Sequence, residues 1–185
     1  MHRQAASYRA IASHLKYGGL IAYPTESCYG LGCDPNNYQA VRKLLRLKQR
    51  PQSKGLILIA MNYRQVEGYL QPLNTTQQKA LAEAGAQAIT YLMPALSLTP
   101  HYLRGIHNTL AVRLTAFQSA AQLCKGVGHA LISTSANRSG KRPAKTYSEC
   151  QRLFGHRVWV LPGKVGQRKN PSTIRAWADG KIIRS

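Results

Sequence analysis

Residues 55–61 read Gly-Leu-Ile-Leu-Ile-Ala-Met, an apolar run without a polar break. A strand with one wet face alternates apolar and polar side chains, whereas an unbroken run fits a strand covered on both faces. The rest of the chain must therefore supply covering layers. Helical periodicity occurs on both sides of the run. Residues 4–17 form an amphipathic pattern with Tyr8, Ile11 and Leu15 on one face, stopped by Gly18 and Gly19. Residues 38–47 place Val41, Leu44 and Leu45 inward, and residues 75–84 read as a helix capped by Asn74 or Thr75. Residues 117–124 form another helical stretch, and Thr146 with Glu149 makes a capping box before a helix ending at Phe154.

Short apolar strands alternate with these helices. They lie at 20–23, ended by Pro24, and at 88–93, 109–114, 130–134 and 158–161. Residues 172–177 and 181–184 form a hairpin closed by Asp179 and Gly180. No repeat or low-complexity linker interrupts the pattern, so residues 1–185 are expected to form a single α/β domain. Periodicity leaves the sheet parallel, antiparallel or mixed.

Charge narrows the partners. The chain has 26 Lys and Arg against 6 Asp and Glu, a net charge of +20, which suits polyanions such as nucleic acid or nucleotide phosphates. No apolar run reaches the ~18 residues of a membrane span. The N-terminal residues lack the apolar segment of a secretory signal. The cysteines (Cys28, Cys33, Cys124, Cys150) form no C-x-x-C pair and no zinc spacing, so reduced thiols in a cytoplasm and no protein metal site are expected. P-loop, dinucleotide-binding and RRM signatures are absent. The acids are Glu26, Asp34, Glu67, Glu83, Glu149 and Asp179. With so few carboxylates, chemistry must rest mainly on cations, hydroxyls and backbone groups.

Four segments place small polar residues beside strands. Residues 23–32 (YPTESCYGLG) end a strand at proline and follow it with hydroxyls, Glu26 and two glycines; locally this reads as a turn and helix cap. Lys48 and Arg50, before Pro51, suit either the dipole at a helix C-terminus or a phosphate. Residues 133–140 (STSANRSG) form a donor-rich loop able to wrap an anion. Residues 170–174 (NPSTI) carry hydroxyls into a strand. Arg113 shares a strand face with Ala111, opposite Val112 and Leu114; it is either a surface cation or one fixed on a sheet to grip a carboxylate.

Taken in order, YPTESCYGLG, KQRP, LAVR (110–113), STSANRSG and NPSTI resemble the YrdC-like threonylcarbamoyl-AMP synthases, the TsaC group. The resemblance spans roughly residues 10–184. It implies a twisted mixed sheet with flanking helices around a concave basic cavity. It also implies synthesis of threonylcarbamoyl-adenylate from L-threonine, bicarbonate and ATP, with Mg2+ held mainly through phosphates, for t6A modification of tRNA. By the same resemblance Lys48, Arg50, Ser135 and Asn137 form the catalytic nucleotide site, with Thr109 and Arg184 also touching ATP. Thr25, Arg113, Ser133 and Ser172 hold threonine. Implied partners are tRNA or double-stranded RNA and other t6A proteins. A non-catalytic RNA-binding protein of the same fold is the alternative. One motif departs: the family's W-P-G-P-x-T stretch is Gly85-Ala86-Gln87-Ala88-Ile89-Thr90 here.

Overall fold

The computed structural model describes residues 7–184. Among them, one nine-stranded mixed sheet runs in the order β7-β1-β2-β6-β3-β5-β4-β8-β9. Its strands are β1 (Ile21–Pro24), β2 (Tyr29–Gly32), β3 (Ile57–Ala60), β4 (Ile89–Pro94), β5 (Thr109–Leu114), β6 (Leu131–Ser135), β7 (Trp159–Val160), β8 (Thr173–Ala176) and β9 (Ile182–Arg184). The pairs β1–β7, β3–β5 and β4–β8 are parallel; the others are antiparallel.

Helices cover the sheet unequally. On one face pack α2 (Tyr38–Lys48), α3 (Thr75–Ala86) and α6 (Tyr147–Phe154), which join Leu31, Leu58, Leu110 and Val112 in the larger core through Val41, Leu44, Leu81 and Phe154. On the other face α1 (Tyr8–Lys16) and α5 (Gln118–Val127) bury Ile11, Leu15, Leu123 and Cys124 against Ile21, Ile59 and Leu131. The apolar run yields a strand fully covered on one face, where Leu58 enters the first core, and covered only in part on the other, where Ile59 joins the second core while half-buried Ile57 faces open space. Beyond Ile59, the second face has no helix over β5, β4 and β8. That uncovered stretch is where the cavity forms.

Local signals set most boundaries. Asn74 and Thr146 both close capping boxes, Asn74 with Gln77 and Thr146 with Glu149. The first three residues of the helix expected at 4–17 lie outside the described residues. Two elements depart from expectation. Residues 29–32, expected as turn and cap, form β2, every residue of which is buried. The short α4 (His101–Arg104) follows Pro100, where no helical periodicity is long enough to read.

At the departed motif, α3 continues to Ala86 and the chain turns through Gln87 and Ala88, the latter with φ 57°. This close seating needs glycine at position 85, since a Cβ there would lie 1.7 Å from the Leu114 carbonyl oxygen. Gly85→Ala is expected to push α3 off β5 and lower stability by about 1–3 kcal/mol, the range of overpacking in a close-packed core. Thermal unfolding checks this; an unchanged Tm would show that the helix end yields freely.

Among the described residues no helix is long and apolar enough to cross a membrane. All four cysteines are buried and unbonded.

Candidate active site

The uncovered sheet face opens into a cavity of about 590 Å³. Its floor follows from strand register. Ser133 pairs with Ile57, Ile57 with Ala111, and Ala111 with Leu92, so one row of side chains crosses β6, β3, β5 and β4. Thr109, Ala111 and Arg113 alternate onto this floor, while Leu110, Val112 and Leu114 turn into the core. Arg113, read from sequence as either a surface cation or a gripping one, is 9% exposed and lines the cavity.

The walls are cationic. Arg50, Lys54, Arg104, Arg113, Lys145, Lys169 and Arg184 line the cavity, and Glu26 is the single carboxylate among the lining residues. Nine sequence-predicted site residues meet here: Thr25, Arg50, Thr109, Arg113, Ser133, Ser135, Asn137, Ser172 and Arg184. Low-dielectric walls bearing one sign of charge concentrate anions.

Lys48 takes a different position. It is 3% exposed and stands behind the cavity wall rather than in its lining. Its Nζ donates to the Ser135 carbonyl, to the Asn137 carbonyl at 2.8 Å and to Asn137 Oδ1 at 3.2 Å. Asn137 Oδ1 also accepts from Ser135 Oγ at 2.6 Å, and Asn137 Nδ2 donates to the Lys141 carbonyl at 2.6 Å. One ammonium therefore shapes the loop that follows β6. Ala136 N–H donates to the Tyr29 carbonyl at 2.8 Å, fixing the same loop to β2. Burial of the charged form pushes the Lys48 pKa down to about 8, with repulsion from Arg50 adding to it.

Arg50 is aimed by the end of α2. Gln49 adopts the left-handed conformation (φ 52°) and Arg50 N–H donates to the Leu45 carbonyl at 3.0 Å, a Schellman-type closure that reverses the chain. The Arg50 Nε and Nη2 both donate to the Gly55 carbonyl, at 3.3 and 2.9 Å. Desolvation lowers the Arg50 pKa, and the nearby Arg184 charge lowers it further. Arg184 Nη2 donates to the Ser172 carbonyl at 2.8 Å, so β9 delivers its cation across the cavity. Arg50 and Arg184 thus line one cavity whose single carboxylate, Glu26, is taken up by Arg113, so neither has an acid partner there and a phosphate group supplies the missing charge.

At the other end, Thr25 Oγ1 donates to the Cys28 carbonyl at 2.8 Å, which closes the turn between β1 and β2. Ser172 Oγ accepts from Thr90 Oγ1 at 2.9 Å. Glu26 Oε1 accepts from Arg113 Nη2 and, at 3.3 Å, from Thr115 Oγ1. Gly166 clamps this loop: its N–H donates to the Thr25 carbonyl at 2.9 Å, and a Cβ there would lie 2.7 Å from the Glu26 carbonyl oxygen. Desolvation lowers the Arg113 pKa, against which the Glu26 charge raises it. Sequence reasoning missed Glu26, Thr90 and Thr115 as members of the site. For Thr115 alternation offered a signal, since it continues the Thr109-Ala111-Arg113 face. Cys28 lines the cavity too, but burial pushes its thiol up, so it offers no thiolate nucleophile at neutral pH.

A mixed sheet whose bare face carries a cationic, hydroxyl-lined hollow has the charge and the donors that suit an anionic ligand. The chain belongs to the Sua5/YciO/YrdC family, whose model, described as "Telomere recombination", matches residues 13–185. It is 51% identical to a threonylcarbamoyl-AMP synthase of Methylobacillus flagellatus over 95% of this chain and 98% of that protein. It is 48% identical to the protein of the same name from Thiobacillus denitrificans over 94% and 92% of the two chains. The crystal structure of P. abyssi Sua5 complexed with L-threonine superposes with a TM-score of 0.83 at 25% identity. It is matched over 95% of this chain, which spans about half (52%) of that protein. E. coli YciO shares the fold, with a TM-score of 0.80 at 20% identity over 96% of this chain and 88% of that one.

Proposed function

We propose that this protein is a threonylcarbamoyl-AMP synthase, converting L-threonine, bicarbonate and ATP into threonylcarbamoyl-adenylate and pyrophosphate. The observation that carries this reading is the shared cavity, lined by Arg50 and Arg184 without an acid partner and by Arg113 held on the Glu26 carboxylate. The threonine ammonium gives up a proton, and the resulting amine condenses with bicarbonate to a carbamate with loss of one water. A carbamate oxygen then attacks the α-phosphorus and pyrophosphate departs. Nucleophile and leaving group both come from the substrates, so the protein aligns them and compensates charge.

In this reading Arg113, Thr25, Ser133 and Ser172 hold threonine. Arg50, Arg184, Thr109, Ser135 and Asn137 surround the nucleotide. Lys48 acts on the phosphates through the loop it shapes and by the charge it places directly behind that loop. The lining does not fit a resident divalent ion, because Glu26 is its single carboxylate and is paired with Arg113. Mg2+ is taken to arrive on the ATP phosphates. The product serves t6A modification of tRNA, and the cationic excess suits a tRNA or the other t6A proteins as the next partner.

Pyrophosphate release from the pure protein, incubated with ATP and Mg2+, tests the reading. Release that requires threonine and bicarbonate together is expected. No release, accompanied by tRNA binding that weakens steeply with salt, would instead favour the RNA-binding alternative.

The Lys48 ammonium gives a pH signature. Below about 8 it is charged; as pH rises through about 8 it loses its proton, and with it a donor and a positive charge behind the phosphates. The Kd for ATP, measured by calorimetry, is expected to rise on the alkaline side of pH 8. A Kd that stays flat up to pH 9.5 would show that Lys48 does not act on the nucleotide.

A further inference from the structure

The ion pair at the cavity floor has one buried donor without a partner, on Arg113, and one carboxylate oxygen, on Glu26, that is turned to the cavity and bonded to no described residue. Arg113 is 9% exposed, yet its Nε has no hydrogen-bond partner among the described residues. Its single side-chain partner is Glu26 Oε1. Glu26 lines the cavity and uses only Oε1, toward Arg113 and Thr115; its Oε2 accepts from no described residue. Buried charges are normally paired and fully hydrogen-bonded, because each unmet polar group costs free energy. A cavity otherwise lined with cations has little reason to keep one carboxylate for an anionic nucleotide, which that carboxylate repels.

The unmet groups are one cationic donor set and one anionic acceptor, side by side. A zwitterion with its carboxylate and ammonium one carbon apart supplies the complement to both. We propose that Glu26 is the ammonium-recognising residue of the amino-acid site. Oε2 accepts from the α-ammonium while the α-carboxylate pairs with the cavity-facing side of the Arg113 guanidinium. This rests on the threonine reading above and deepens it. The pair then selects α-amino acids against acids that lack the amine, and it holds the nitrogen that becomes the carbamate beside the incoming bicarbonate. The loop supports such a role. Glu26 is fixed at its backbone by the Arg168 N–H, which donates to the Glu26 carbonyl at 3.0 Å, and by the close approach of Gly166.

Calorimetric titration of wild type and Glu26→Gln with L-threonine and with 3-hydroxybutyrate, its deaminated analogue, tests this. Wild type is expected to prefer threonine by roughly tenfold to a hundredfold, the worth of a charge-assisted hydrogen bond. Glu26→Gln should lose most of that preference while binding 3-hydroxybutyrate as well as wild type or better. Glu26→Asp should retain part of it. The preference is a ratio within one protein, so partial misfolding of a variant does not mimic the result. An unchanged ratio in Glu26→Gln overturns the proposal for Glu26 and leaves the threonine site standing. Failure of wild type to bind threonine overturns both.

Discussion

Arg113→Ala is expected to raise the KM for threonine by about two to three orders of magnitude, the cost of removing one partner from a buried charge pair. The KM for ATP should move by less than about tenfold. The asymmetry follows from position. Arg113 stands on β5 opposite Ile59 and is paired with Glu26, whereas Arg50 bonds the carbonyls of its own turn and Arg184 the Ser172 carbonyl. A second consequence is structural. The Glu26 side chain, 19% exposed, would lose its counter-ion, so Tm should also fall. Arg113→Lys keeps the charge but not the planar fork, and should restore stability better than threonine affinity. Steady-state kinetics with each substrate varied in turn decides the matter. Equal effects on both substrates would mean that Arg113 does not grip the threonine carboxylate.

Arg50→Ala should weaken ATP use by several kcal/mol, about a hundredfold or more in kcat/KM for ATP, with little change in Tm. Arg50 is half-buried and bonds only carbonyls of the adjoining turn, at Lys54 and Gly55. Lys48→Ala is expected to differ in kind. It strips the shared donor from two carbonyls and from the Asn137 amide oxygen, which keeps only its bond from Ser135 Oγ, at a cost of about 1–3 kcal/mol in all, the worth of hydrogen bonds from a charged donor. Activity and Tm should fall together. A Lys48→Ala protein as stable as wild type but unable to use ATP would place Lys48 among direct phosphate contacts instead of behind the loop.

The contrast between Lys48 and Arg50 marks how far the sequence could be read. Both stand at a helix C-terminus with alternate spacing, so their types and order point to anion chemistry. Their separate depths depend on the closure at Gln49, where a non-glycine residue adopts φ 52°. Nothing in the local pattern announces that turn. Strand β2 was hidden for a related reason. Its Tyr-Gly-Leu-Gly sequence has a turn-like composition, and burial by α2, β6 and Leu161, rather than propensity, makes it a strand. Arg113 was legible because period-2 alternation sets its face whatever the sheet's topology. Glu26 was not, because its role depends on a partner 87 residues away. The nine-strand order, with three parallel pairings, is likewise a matter of long-range contact that periodicity does not encode.

In the proposed function one hollow on the bare sheet face holds both substrates, with the amino acid at Arg113 and the phosphates at Arg50 and Arg184. A crystal structure with a non-hydrolysable ATP analogue and L-threonine tests it most directly. The phosphates are expected within hydrogen-bond reach of Arg50 and Ser135, and the threonine carboxylate on Arg113 in the same cavity. A nucleotide bound elsewhere on the protein, with this cavity left to solvent, would contradict it.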